Sequence, residues 1–414
     1  MRFSKSKAKL DGYSLIYALL LVLIISTFFS ALFIVEDIEL KLIQNHQEKV
    51  DVRRNIKSGV AKYLRLYNSA DNTAISLFPN SSSEVVIESK CWGLERLLLV
   101  RSSKNSVKDS SVVLLASTVR DSSLGVLHLK DKGIPLAISR VSLIEGDAWL
   151  PNAGLTRPTY RGAGFEPRSR ISGKINVSSK DHRIEEQFML SRLETFEKYL
   201  RSVEISGLEI RDIDTLTHSF FRPPILLNIG DSILELENQY LEGNIIIQSK
   251  GHIKISENCS LDKVVVIGKR VTVKRGFKGS VQILAENYVV VEEDAQLRFP
   301  STLVLKSNGN LSTKSIRVKK GAKLEASIWD LSLDENSLVI IEEEARIDGL
   351  VCSLNRIFLS GSIFGRAEVG EFVTIRSGFT QVGELSSGSI QKSSENILCT
   401  YSGMSSAKIG LWLN

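Results

Sequence analysis

HIKISENCSLDKVVVIGKRVTVKRGFKGSVQILAENYVVVEEDA, residues 252–295, sets three short apolar triplets at one interval. Ile253-Lys254-Ile255, Val271-Thr272-Val273 and Val289-Val290-Val291 begin eighteen residues apart by position number. Short β-branched runs favour strands, because a branched side chain packs well on a pleated surface. The fixed recurrence adds that these strands belong to repeated units, each completed by its neighbour because it cannot bury its apolar face alone. Ile316-Arg317-Val318, Val339-Ile340-Ile341 and Ile357-Phe358-Leu359 continue the series at wider spacing before it closes again to eighteen. That is the pattern expected when loops are inserted into some units. Turn signals separate them at Gly268-Lys269, Lys320-Gly321, Asp348-Gly349 and Gly361-Ser362. The reading is a parallel β-helix whose core holds the first and third residue of each triplet. An antiparallel sandwich is the competing architecture, but its hairpins need tight two-residue turns and give less regular spacing.

Upstream of this stretch, Val141 to Leu150 and Ile171 to Val177 read as further units of the same stack, separated by a loop from Pro151 to Pro167. Phe188, Met189, Leu193, Phe196 and Leu200 fall on one face of a helix over about 184–201, expected to cap or flank the stack. Val85 to Glu88 and Leu97 to Val100 flank the corner Cys91-Trp92-Gly93, and Val112 to Leu115 follows a Ser-rich break, the strand-and-turn pattern of a small β or α+β subdomain. The fold class expected is therefore mainly β: an N-terminal transmembrane helix and helical stalk, a small β or α+β subdomain, and a C-terminal parallel β-helix (solenoid) with a helical insertion. The expected boundaries are 1–12 for a cytoplasmic basic segment, 13–35 for the transmembrane helix, 36–69 for the stalk and 70–133 for the small subdomain. The first solenoid units with their long loop then occupy 134–183, the helical insertion 184–225 and the main solenoid 226–414.

From Tyr13 to Val35 the chain carries no charge, and at about 1.5 Å per residue this run is long enough to cross the roughly 30 Å hydrocarbon core of a bilayer. Arg2, Lys5, Lys7 and Lys9 precede it, whereas Glu36, Asp37 and Glu39 follow. The excess of basic residues before the span places the N-terminus in the cytoplasm and everything after about residue 36 outside. A cleaved signal peptide shares the basic start and the apolar run, but this run is longer than a signal core, and Val35-Glu36-Asp37 is a poor cleavage site. Beyond the span, Leu40, Ile43, Val50, Ile56, Val60, Tyr63, Leu64 and Tyr67 recur mostly at helical steps or their multiples, extending the helix as an amphipathic stalk.

With 414 residues the chain is long enough for two or three domains. Its net charge of +6 is spread among interleaved acids, which gives no clustered basic and aromatic face for nucleic acid. Cys91, Cys259, Cys352 and Cys399 are far apart and none forms a CxxC pair, which excludes zinc-ribbon and thioredoxin-like motifs and leaves disulfides and buried thiols both open. The five histidines are isolated, and there is no Walker A, GxGxxG or GxSxG sequence, so neither a metal nor a cofactor is expected. Glu292-Glu293-Asp294 and Glu342-Glu343-Glu344 each follow a strand triplet and precede an alanine. They read as charged turns rather than as the acid and base of a carbohydrate-active enzyme, and no enzyme activity is expected. The loop after Leu150 is the candidate recognition surface, because Trp149, Arg157, Tyr160, Arg161, Phe165 and Arg168 are residue types enriched at binding hot spots.

Two family resemblances add to this reading. The basic leader, Gly12-Tyr13-Ser14-Leu15-Ile16 and the long apolar helix resemble the N-terminus of type IV pilins and pseudopilins, although the acidic residue of that family is replaced by Tyr17. The resemblance implies processing between Gly12 and Tyr13. The repeat near eighteen residues resembles the bactofilins, whose short β-helices join end to end. Together these readings lead to the expectation of a membrane-anchored, extracytoplasmic structural or assembly protein of the cell envelope, presenting a β-solenoid as an interaction surface. The alternatives are a minor pilin-like component of a pilus or secretion machine and a membrane-tethered glycan-binding or carbohydrate-active β-helix protein. The partners expected are membrane lipid through residues 13–35 and a protein or a second copy of the chain, with a glycan as the alternative and no nucleic acid.

Overall fold

The computed structural model describes residues 12–66, 73–75, 83–118, 125–158, 166–180, 184–206, 208–230, 233–307, 314–376, 379–393, 397–400 and 407–413. The basic residues Arg2, Lys5, Lys7 and Lys9 lie outside this set. The chain is mainly β with one long apolar helix at its N-terminus. It forms two compact units, one of Met1–Val60, Ala74–Val86 and Arg101–Ser110, the other of Ala61–Thr73, Ile87–Val100 and Ser111–Asn414.

A helix, α1, begins at Gly12 and runs to Leu66, and its residues to Val60 belong to the first unit. It is long and apolar enough to cross a membrane, and its most apolar stretch buries nothing against protein. Leu15, Leu23, Phe29 and Val35 are all more than half exposed, which water would penalise and lipid would not. The second half of the helix changes character: Val52, Ile56 and Val60, at steps of four, are buried. Lys104 Nζ lies 2.6 Å from Asp51 Oδ2, Asn105 Nδ2 donates to Glu48 Oε1 at 2.7 Å, and Arg53 Nε lies 3.4 Å from Asp109 Oδ2. These contacts hold the helix to the turn at Asn105, whose φ of 53° is one that asparagine tolerates. The hydrogen bond and charge of Lys104 hold the Asp51 carboxyl below its usual range.

The second unit is organised by three rows of parallel strand pairs. In the first row Leu234–Leu236 pairs with Ile253 to Ile255, which pairs with Val271 to Val273, then Val289 to Val291, Ile316 to Val318, Val339 to Ile341 and Ile357 to Leu359. The sequence triplets are thus direct register partners, and the first and third residues of all six are buried. In the second row Ile225–Asn228 pairs with Ile245 to Gln248, and the succession continues through Val264, Val281, Thr302, Ser327, Leu350 and Ala367. The third row starts at Thr215–His218 and passes through Tyr240, Ser260, Lys278, Gln296, Lys323, Arg346 and Ser362 to Ser389–Gln391. Inward side chains of all three rows meet in one apolar cluster.

The rows do not end there. Ala367 and Val369 pair with Leu127 and Leu129, Leu127 pairs with Ala148, and Ala148 with Ile175. Ser389–Gln391 pairs with Leu143–Glu145, and Ile144 bridges to Ile171. The stretches 141–150 and 171–177 therefore join the same sheet, but beyond its late strands rather than ahead of Thr215 as chain order suggests. The second row then holds eleven strands, from Ile225–Asn228 to Ile175–Val177, and at about 4.8 Å per spacing it is on the order of 50 Å long. The chain between residues 178 and 214 has to travel back over that distance. The helix Ile184–Leu200, α2, covers about half of it at roughly 1.5 Å per residue.

The outer side of the second row is apolar as well. Leu226, Ile246, Val265, Leu284, Val304 and Trp329 lie in a second cluster with Met189, Leu193 and Phe196 of α2 and with Trp92, Leu94 and Leu114 of a small sheet. This sheet contains the strands Ser83–Trp92, Glu95–Lys104 and Val107–Thr118, with the C-terminal strands Leu398–Thr400 and Lys408–Leu413 paired antiparallel to the last of these. Gln282, fully buried, ties the two layers: its Oε1 accepts from Leu94 N at 2.9 Å and its Nε2 donates to Trp92 O at 3.0 Å.

Candidate functional site

Of the loop residues singled out in the sequence, Trp149, Arg157 and Arg168 are described. Trp149 sits half-buried in the strand Ala148–Leu150, with its ring against Gly125, where an added Cβ would lie 2.2 Å from Cζ3. Arg157 is exposed. Arg168, also exposed, turns its guanidinium onto its own loop, donating to the Ile171 carbonyl and, at 2.8 Å, to that of Gly173. The contacts of Trp149 and Arg168 are with neighbouring strands and their own loop, and Tyr160, Arg161 and Phe165 lie outside the described residues. Gly12 and Tyr13 are the first two residues of α1.

The acidic groups are turns, and their surroundings explain their charge. Lys274-Arg275, Glu292-Glu293-Asp294, Lys319-Lys320 and Glu342-Glu343-Glu344 follow successive strands of the first row, so basic and acidic turns alternate. Arg275 Nη2 lies 3.2 Å from Asp294, Lys319 Nζ 3.9 Å from Glu292, and Lys320 Nζ 3.1 Å from Glu344. Gly276, Asp294, Gly321 and Glu344 each have φ between 58° and 76°. The buried residue that follows is Phe277, Ala295, Ala322 or Ala345. Each acidic turn is paired with basic neighbours, and among the described residues no group of three or more His, Cys, Asp or Glu is placed to hold a metal ion.

Two cavities flank the segment Ser219–Pro224, which joins the first strands of the third and second rows. The larger, of about 620 Å³, is lined by Thr217, His218, Glu242, Lys263 and Trp412 together with Phe220 to Arg222. Glu242 and Asp262 are register partners on adjacent strands. Glu242 Oε2 accepts from Tyr240 Oη at 2.6 Å, while Asp262 accepts from Lys263 Nζ and, at 2.7 Å, from Ser280 Oγ. Burial acts to raise the Asp262 carboxyl, but the Lys263 and Ser280 hydrogen bonds outweigh it and hold it below its usual value. The carboxylate is therefore an ionised acceptor rather than a proton donor.

The smaller cavity, of about 370 Å³, is built from four separate segments. Lys90, Cys91 and Trp92 come from the small sheet, Phe196 and Tyr199 from α2, Phe220 to Pro224 from the connecting segment, and Asn244 and Ile246 from the second row. Trp92 and Phe220 meet edge to face with centroids 5.1 Å apart, a favourable aromatic arrangement. Burial, followed by the neighbouring Cys91, pushes the Tyr199 hydroxyl above its usual value. Asn244 Nδ2 donates to Arg222 O at 2.9 Å, which fixes the backbone at the rim. Sequence reasoning passed over these residues because no local pattern connects them; the one available signal was Cys91-Trp92-Gly93, where Gly93 has φ 58°. None of the four cysteines is bridged to another.

Two further carboxyls are buried away from both cavities. Glu95 Oε1 accepts from Thr400 Oγ1 at 2.7 Å and Thr302 Oγ1 at 3.0 Å, and burial raises its pKa. Asp330 accepts from Ser337 Oγ at 2.6 Å and Ser353 Oγ at 3.0 Å, yet burial still raises it to about 6. Comparison of the chain with protein-family models, with curated proteins and with solved structures finds no match in any of the three.

Proposed function

We infer that the chain is a membrane-anchored, extracytoplasmic structural or assembly protein that presents a β-solenoid as an interaction surface. The observation that carries this reading is the common register of the three rows. Successive passes of the chain, from Thr215–Leu236 onward, supply one strand to each row, as the coils of a three-sided solenoid do. Coils joined by a hydrogen-bonded ladder and a continuous core make a stiff rod with long flat faces, suited to holding partners at set spacings. The apolar half of α1 provides the anchor, and the basic residues before it with acidic ones after it favour an external position for the rod.

Photocrosslinking in native membranes tests this reading. A photoreactive residue at exposed Arg317, on the outer face of the first row, is expected to yield a discrete protein adduct or a crosslinked pair of this chain. No adduct there, or at a second position on the outer face of the third row, would overturn the scaffold reading. Mass mapping of the mature N-terminus separates its variants: a start at Tyr13 selects the pilin-like component, whereas an N-terminus that retains residues 2–12 selects the permanently anchored scaffold.

A second reading, a glycan-binding module, is favoured by Glu242 and Trp412 in the larger cavity, with Asp262 on the adjacent strand, since sugars are bound by stacking and by acceptors for hydroxyl groups. A hydrolase needs one carboxyl kept protonated, and the lowered Asp262 is unsuited to that role. Binding without turnover is therefore expected if a panel of neutral and amino-sugar oligosaccharides is presented; no binding by any member would discard this reading.

A further inference from the structure

We propose that the smaller cavity binds an acyl chain carrying an anionic head, a fatty-acid-like amphiphile, a site that does not depend on the scaffold reading. Its depth is apolar: Trp92 and Phe196 are 2% and 0% exposed, and Leu97 and Ile246 continue the same wall. A volume of about 370 Å³, at roughly 30 Å³ per packed group of water size, holds about a dozen methylene-sized groups. A cavity lined in this way gains little from water and favours an apolar guest.

The charge at the rim selects the head. Lys90 and Arg222 are the charged residues of the lining, both are exposed, and no carboxylate joins them. Arg222 makes no ion pair among the described residues, while its backbone is held in place by Asn244. The nearest carboxylate to Lys90 is Glu88, at 3.9 Å. Cations at the mouth over an aromatic interior complement a carboxylate or phosphate on an apolar tail. Of the polar groups in the lining, Ser89 Oγ accepts from Arg96 Nε at 2.6 Å and Asn244 Nδ2 donates to the Arg222 carbonyl at 2.9 Å, which leaves the two cations as the charged groups open to a head group.

Cys91 lines this cavity and is partly exposed, whereas Cys259, Cys352 and Cys399 are buried, so its thiol can report occupancy. The full chain is placed in nanodiscs of zwitterionic phospholipid, and maleimide modification of Cys91 is followed by peptide mass spectrometry with and without dodecanoate. Dodecanoate is expected to slow modification about tenfold at saturation, with dodecyltrimethylammonium giving little protection. Arg222→Glu is expected to remove the dodecanoate effect and to admit the cationic amphiphile instead, while Cys352 stays unreactive as a check that the fold is intact. An unchanged rate with dodecanoate, equal protection by both amphiphiles, or protection that persists in Arg222→Glu would each overturn the proposal.

Discussion

The row through Val271-Thr272-Val273 and the row through Val264-Val265-Val266 pair in the same way around one core, yet their outer faces differ. In the first, Lys254, Val290, Arg317 and Phe358 at the outward centre of their strands keep contact with solvent, while Thr272 and Ile340 in the same position are 7% and 6% exposed. In the second, Ile246, Val265, Val304 and Trp329 occupy the corresponding places and are 0–1% exposed. A strand buried on one face alternates apolar and polar residues, whereas one buried on both reads as an unbroken apolar run. The second row therefore carries another layer, made of α2 and the small sheet, and the cavities lie where that layer meets the first strands of the stack.

The largest effect expected from this comparison comes from Trp329→Ala. The ring is fully buried between the two layers, so its loss should cost about 3–5 kcal/mol, while Arg317→Ala in the first row should stay within about 0.5 kcal/mol. Denaturant titration of both variants measures the contrast, and equal losses would mean that the outer layer contributes no packing.

The connection between the rows supplies the next effect. Asp330 closes the strand Lys323–Asp330 with its pKa raised from 3.8 to about 6. A raised carboxyl favours the folded state while protonated, so the contribution of Asp330 to stability is greatest below about pH 4, falls as pH rises toward 6, and then levels. The loss is on the order of 3 kcal/mol at about 1.4 kcal/mol per unit. Asp330→Asn should flatten this profile, apart from the contribution of Glu95, which has the same sign. Denaturation midpoints from pH 4 to 7 read the difference, and a profile unchanged by the substitution would exclude Asp330 as its source.

The smallest effect belongs to the alternating turns of the first row. Replacing Lys319 and Lys320 by Glu sets three acidic turns in succession and should cost about 1 kcal/mol or less, with the cost shrinking as salt is added. A cost that does not respond to salt would point to backbone rather than charge.

Much of the fold was legible because the first row writes its register directly into the sequence, with inward β-branched residues on either side of a third. The second row was equally visible as Ile245-Ile246-Ile247, Val264-Val265-Val266 and Leu303-Val304-Leu305, but an unbroken run does not distinguish one covered face from two. The small cavity was not legible, because Trp92, Phe196, Phe221 and Ile246 come from four segments whose proximity no periodicity records. Trp149 and Arg168 had the composition of a binding loop, but composition does not reveal that a guanidinium is spent on its own backbone carbonyls.

By itself the sequence determined the long apolar helix, the mainly β character and the triplets that pair in parallel, since each follows from local hydropathy and a repeat of fixed length. Only the tertiary structure decided that the strands Leu127–Leu129, Leu143–Glu145, Ala148–Leu150 and Ile175–Val177 extend the rows beyond Ser362–Arg376 instead of preceding Thr215–His218, and that α2 packs on the outer side of the second row. The physical reason is that a parallel ladder accepts any strand of suitable register, whatever its distance along the chain, so the order of stacking is set by which exposed strand edge and which apolar face each segment covers.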